Sequence, residues 1–240
     1  MAMTTIQAAA RDGDAKTVAR LLADPRVDPS AWDNVAVQLA AVRGHYGVVS
    51  LLLAGPRIDP AVDCNDAVRW AAARGHDKVV ALLLADPRVD PSACGNGAVR
   101  WASRNGHDKV VALLLADPRV DPRPQNNAAV RWAAARGHDK VVAQLLVDPC
   151  VDPCAEDDYA VRAAAHNGHD ATVALLLTDR RVQQGLETMC IPPLPPATHP
   201  SAALTRLQVA IADARRWRRR CALALVREQR RAARDHCKRR

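Results

Sequence analysis

Residues 65–95, NDAVRWAAARGHDKVVALLLADPRVDPSACG, decide the fold, because most of the chain is copied from them. The glycine before the histidine recurs as Gly13, Gly44, Gly75, Gly106, Gly137 and Gly168, an unbroken spacing of 31 residues over six units. A period of about 20 to 50 residues marks a stacked array of short structural units. Such an array grows lengthwise, so a chain of 240 residues needs no single large core.

Hydrophobic spacing predicts two helices in each unit. Asn65 is expected to cap the first, AVRWAAAR, by offering its side-chain oxygen to the free amides of the opening turn. Asn34, Asn96, Asn127 and Asp158 hold the equivalent place. In that helix Ala71 and Ala72 let neighbouring helices approach, while Val68 and Trp70 supply bulk. Gly75 stands where a helix ends in a left-handed residue. The second helix, KVVALLLA, places Val79, Leu82 and Leu83 on one face, and Asp86-Pro87 stops it. DPRVDPSA then reads as an extended crossing anchored by Val89. Two short helices cannot bury their apolar faces alone, so each unit must lean on its neighbours.

The AA-x-x-GH-x-x-VV-x-LLL core, as in Ala71, Ala72, Gly75, His76, Val79, Val80 and Leu82 to Leu84, resembles that of the ankyrin repeat family. The resemblance covers roughly residues 3–184. It implies an all-α, ankyrin-type helix-turn-helix solenoid with short inter-repeat turns. The chain departs from the family in regular ways. Asp66-Ala67-Val68-Arg69 and its counterparts stand where Thr-Pro-Leu-His is usual, and DPRVDP replaces Gly-Ala-Asp-Val-Asn. Each unit is also two residues short of the usual 33. The ends are atypical, as terminal repeats are: Met3 stands at the first cap position, and the sixth unit closes on TDRRVQQG.

The array is expected to occupy 1–184, followed by a Pro-rich linker at 185–200 and a separate basic amphipathic helix at 201–240. IPPLPPATHP reads as a stiff spacer, since the basic residue that usually accompanies a polyproline ligand is missing. The formal charge of +8 belongs to the tail. Residues 201–240 hold 13 of the 34 Lys and Arg and 3 of the 26 acids, which leaves 21 against 23 in the rest. Seven scattered cysteines, an opening without an apolar signal stretch and the lack of an 18-residue apolar run lead to an expectation of cytoplasm or nucleus.

No catalytic or metal-ligating site is expected, and no cofactor. The histidines His45, His76, His107, His138 and His169 recur once per unit, so stacking places them in a ladder, whereas zinc needs convergence. Cys150 and Cys154 are expected to be unbridged thiols, and Cys64 and Cys94 sit in successive turns. Trp70, Trp101 and Trp132 align with Leu39 and Ala163, which suggests a packing slot. Arg69, Arg100, Arg131 and Arg162 each follow an Asp by ten residues, so a pair with Asp59, Asp90, Asp121 or Asp152 is expected.

The resemblance also implies a recognition strip. In the family the two residues before each repeat glycine line the concave surface. Here these positions offer Arg43, Arg74, Arg104, Asn105, Arg136, His166 and Asn167, four of them arginines that favour an acidic protein partner. The expected function is a non-enzymatic protein-interaction scaffold with no small-molecule substrate. An alternative gives the activity to the tail, where Arg215, Arg216, Trp217, Arg218, Arg219 and Arg220 would bind nucleic acid, direct nuclear import or meet an anionic membrane. The tail's apolar stripe could equally dock on the last repeat.

Overall fold

The computed structural model describes residues 5–188, and within them every regular element is a helix. The tail, with the tentative site at 215–220, lies outside the described residues. First helices α1 (Thr5–Asp12), α3 (Ala31–Arg43), α5 (Val62–Arg74), α7 (Ala93–Asn105), α9 (Pro124–Ala135) and α11 (Ala155–His166) form one layer. Second helices α2 (Ala15–Leu22), α4 (Tyr46–Leu53), α6 (Asp77–Leu84), α8 (Asp108–Leu115), α10 (Asp139–Leu146) and α12 (Asp170–Thr178) form the other. A last helix, α13 (Arg180–Thr188), packs on α12 and runs past the boundary expected at Gln184. No described helix is long and apolar enough to cross a membrane.

The core is repetitive, as the sequence is. Val68, Ala71 and Ala72 of α5 are fully buried, and so are Val79, Val80 and Leu83 of α6. Val80 therefore takes the place expected for Leu82, which is only partly buried. Val89 is buried in its crossing, as are its counterparts Ile58 and Val151. First helices meet more extensively than second helices do. The alanines at their contacts are the reason, since small side chains let backbones approach.

The turn between helices is built on a glycine and the next unit's histidine. Gly75 closes α5 at φ 77°, and its amide bonds back to the helix. A side chain there would also collide with the neighbouring unit, because an added Cβ would lie 2.5 Å from His107 Nδ1. That ring reaches over Gly75 so that Nε2–H donates to Ala73 O at 3.0 Å. His45, His76 and His138 reach Arg11 O, Val42 O and Arg104 O in the same way, at 2.9 to 3.1 Å. The ladder is thus a set of ties between units. In the first unit Asp14 stands in place of the histidine and caps its own helix, accepting from Thr17 N at 3.0 Å.

The crossings differ from the extended form expected of DPRVDPSA. Each aspartate accepts from the amide two residues on, as Asp86 does from Arg88 N at 3.0 Å and Asp90 from Ser92 N at 2.9 Å. DPRVDP is therefore two successive Asx turns, with proline pre-setting the backbone after each aspartate. Arg88, held by Asp86 at 2.6 Å, reaches back to Ile58 O at 2.7 Å and Leu53 O at 3.3 Å. Arg119 repeats this on Val89 O and Leu84 O, and Arg181 on Val151 O and Leu146 O. Each of these arginines closes one carbonyl at the end of the preceding second helix, a group that no intrahelical amide can satisfy, and one carbonyl of the crossing after it.

Near the start of α3, α5, α7, α9 and α11 the backbone makes a left-handed turn of three residues. Asp63, Cys64 and Asn65 have φ of 53°, 57° and 60°, and the counterparts at 32–34, 94–96, 125–127 and 156–158 match. Left-handed residues other than glycine cost roughly 1–2 kcal/mol each, so the turn needs outside support. The expected asparagine cap is replaced by such support. Asn65 Oδ1 accepts from Asp90 N of the next crossing at 2.8 Å, and Asn34, Asn96 and Asn127 bond Asp59, Asp121 and Asp152 alike. The arginines expected to pair with those aspartates bind the turn instead. Arg100 donates through Nε to Gly95 O at 2.9 Å and through Nη2 to Cys94 O at 2.8 Å. Arg131 and Arg162 reach Gln125 O and Glu156 O, while Arg69 pairs with Asp66 at 2.9 Å. The aspartates at 59, 90, 121 and 152 are occupied with their own turns.

Three outcomes follow for stability. Cys150 stands where Arg119 stands one unit earlier and cannot reach Val120 O or Leu115 O. Cys150→Arg is expected to add roughly 1–2 kcal/mol and raise the melting temperature measured by circular dichroism. Arg100→Met, which leaves the turn carbonyls without their donor, is expected to cost about 1–3 kcal/mol in the same measurement. The third outcome concerns pH. Burial holds the His138 imidazole below its ordinary 6.5, and hydrogen bonds from Arg88, Arg119 and Arg181 hold Asp86, Asp117 and Asp179 below their ordinary 3.8. Each group binds its proton less readily folded than unfolded, so its contribution is complete above the ordinary value and is lost as pH falls through the folded one. Melting temperature is expected to fall first below pH 6.5 and again below pH 3.8.

Candidate interaction surface

A first helix buries its alanine stripe, and the remaining stripe is only partly exposed, since Ala73, Gly97, Arg100 and Ala128 on it are themselves buried. On α5 the residues at helical spacing on that side are Asp66, Arg69, Trp70, Ala73 and Arg74. The same places hold Gly97, Arg100, Trp101, Arg104 and Asn105 on α7, and Ala128, Arg131, Trp132, Ala135 and Arg136 on α9. On α11 they hold Tyr159, Arg162, Ala163, His166 and Asn167. Side by side, the helices present rows of arginine next to rows of aromatic residue.

The tryptophans are outside the core, against the packing slot expected of them. Trp70 remains 45% exposed and Trp101 37%, with Trp132 half-buried and Tyr159 exposed. The alanines, Val68 and their counterparts already fill the space between layers, so an indole one position from the buried stripe is turned outward. Trp101 and Trp132 meet with ring centroids 5.9 Å apart and planes tilted by 47°. The Arg104 guanidinium lies over both, 5.0 Å from the Trp101 ring and 5.7 Å from the Trp132 ring. Arg100 stands 5.8 Å from Trp132, and Arg131 stands 5.3 Å from Tyr159. A cation over a ring face is attracted by the ring's quadrupole and holds it in place. Burial lowers the readiness of Arg100 to carry its charge, whereas the neighbouring arginines sit at the surface.

The residues expected to recognise a partner divide into two groups. Arg43, Arg74, Arg136 and His166 are exposed at the ends of their helices. Arg104 is half-buried against the indoles, so it belongs to the aromatic cluster as much as to the row of helix ends. Asn105 and Asn167 are exposed yet serve the stack, donating through Nδ2 to Ala73 O at 2.8 Å and Ala135 O at 2.7 Å. The sequence alone ranks a packing slot ahead of a stacked aromatic strip for Trp70, Trp101 and Trp132, and the structure leaves all three at least partly exposed. The available signal was that arginine precedes each one.

Acid pairs only part of this face. Asp66 bonds Arg69, and Glu156 lies 4.0 Å from Arg131. No cluster of potential metal ligands occurs among the described residues.

The comparisons with known proteins agree with this architecture. A family model for ankyrin repeats in three copies matches residues 5–93, 39–128, 68–157 and 99–188. Among solved structures, an ankyrin repeat domain from Acinetobacter baumannii AYE shares 20% identity at a TM-score of 0.56, over 72% of this chain and 96% of that one. The ankyrin repeat domain of human ASB11 shares 18% at a TM-score of 0.60, over 85% and 97%. No curated protein matches. Six units of two antiparallel helices, stacked first helix on first helix with glycine-ended turns, and a family model that spans the stack, lead to one conclusion: the chain belongs to the ankyrin repeat family.

Proposed function

We propose that the protein is a binding scaffold whose partner, a protein with acidic side chains, docks along the outward face of the first helices. Ankyrin repeats are in general protein-protein interaction modules, typically without catalysis of their own. The observation that carries the finer reading is the Arg104 wedge between Trp101 and Trp132, beside exposed Arg74 and Arg136. Exposed tryptophan and arginine are the side chains that most often dominate binding energy at an interface. A partner's carboxylates would meet the arginines while its apolar groups cover the indoles. First helices of successive repeats pack side by side, so their outward residues form one extended surface along which an elongated partner can make contact. The side chains are already held by their ring contacts, so little freedom is lost on binding.

A second reading rests on the run Arg215, Arg216, Trp217, Arg218, Arg219 and Arg220, which would attract nucleic acid or an anionic membrane. One experiment separates the two. Affinity capture is run in parallel with the full chain, with Trp101→Ala/Arg104→Glu, and with the five tail arginines of that run changed to glutamine. The first reading expects the principal protein partner to be lost with the double variant, by about 2 kcal/mol or roughly thirtyfold in affinity, while helicity is unchanged. Retention by the double variant, with loss on tail neutralisation and a steep dependence on salt, would overturn it in favour of the second.

A further inference from the structure

Cys64 and Cys94 occupy the middle and the first place of two successive left-handed turns, at the start of α5 and α7. They are 30 residues apart, one short of the period, and one atom, Arg69 Nη1, donates to Cys64 O at 3.4 Å and lies 3.2 Å from Cys94 Sγ, which brings the two turns together. The same two places two units on are held by Asn126 and Glu156, and there the side chains are in direct contact, Asn126 Nδ2 donating to Glu156 Oε1 at 2.5 Å. Cys94 Sγ accepts from Arg69 Nη1 at 3.2 Å. Hydrogen bonding with Cys94 is also the main influence on Cys64, and it pushes that thiol up. Both cysteines are free and exposed.

We propose that Cys64 and Cys94 are a reversible disulfide site, closed by a peroxide and reopened by a thiol, that staples the third repeat to the fourth. Cys94 is the attacking sulfur, because the Arg69 guanidinium faces it and opposes the negative charge that sulfur carries as it reacts. Its sulfur takes one peroxide oxygen and hydroxide departs, leaving as water with the thiol's proton and giving a sulfenic acid at Cys94. Cys64 sulfur then attacks Cys94 sulfur, the S–O bond breaks, and the second hydroxide leaves as water with the Cys64 proton. Two thiols and one peroxide thus become one disulfide and two waters. Cys154 is the internal contrast. Burial pushes its thiol up to about 12, and it donates to Arg181 O at 3.4 Å.

The test treats the full chain with one equivalent of hydrogen peroxide, alkylates it and digests it with trypsin without reduction. The expected product is peptide 58–69 joined to peptide 89–100, two hydrogens lighter than the reduced pair, and separated by dithiothreitol. Cys64→Ser and Cys94→Ser are each expected to abolish it, and Arg69→Met to slow it several-fold. Recovery of the two peptides unlinked, or linked only to other cysteines, would overturn the proposal. An unchanged rate in Arg69→Met would overturn the assignment of Cys94 as the attacking sulfur. Asn126→Cys with Glu156→Cys, in a Cys64→Ser background, is expected to give the corresponding link between the fifth and sixth repeats. Failure of that link, with helicity intact, would remove the turn geometry on which the proposal stands.

Discussion

Each repeat leaves backbone groups open that its neighbour closes, and everything else in the structure depends on that exchange. Arg88 reaches back to Leu53 O and Ile58 O, His107 to Ala73 O, and Asn65 reaches forward to Asp90 N. A helix of eight or so residues has about twice as many unsatisfied terminal groups as internal bonds, so it is marginal by itself in water. Apolar contact alone would let such units slide over one another. Polar ties fix their register, because a carbonyl or an amide is satisfied at only one offset.

The left-handed turns show what the ties make possible. A run of three residues at positive φ, repeated five times with a single glycine among the fifteen, runs against the local preference of the chain. It persists because the asparagine that ends four of the five runs bonds the following crossing, and because arginines such as Arg100 fill the carbonyls that the turn exposes. Local backbone cost and inter-repeat bonding are thus coupled. The same turn stacks side chains of successive units against each other, which is how Asn126 meets Glu156 and how two cysteines from different repeats become neighbours.

The two faces of a first helix answer to different demands. The inward face must let backbones approach, and it is held to alanine and valine. The outward face is released from that demand and carries arginine and tryptophan, arranged so that Arg100, Arg104 and Arg131 steady the rings of Trp101, Trp132 and Tyr159. Rings held this way stay partly exposed without collapsing onto the surface, and exposed aromatic area beside fixed positive charge is what an interaction surface is made of.

The period of 31 residues, the glycine-histidine turns and the alanine stripe by themselves determined the helix pairs, their stacking and the family. The reason is that a repeated apolar pattern has one economical solution, burial against its own copies. What the tertiary structure alone decided were the partners of the polar residues and the direction of the tryptophans. Asn65 has the composition of a cap and acts as a tie; Arg100 lies ten residues after Asp90 yet bonds the turn five and six residues back; Trp70 is apolar yet faces outward. Each of those choices depends on which groups a neighbouring repeat brings within about 3 Å, the reach of a hydrogen bond, and that distance is set by the stack rather than by spacing along the chain.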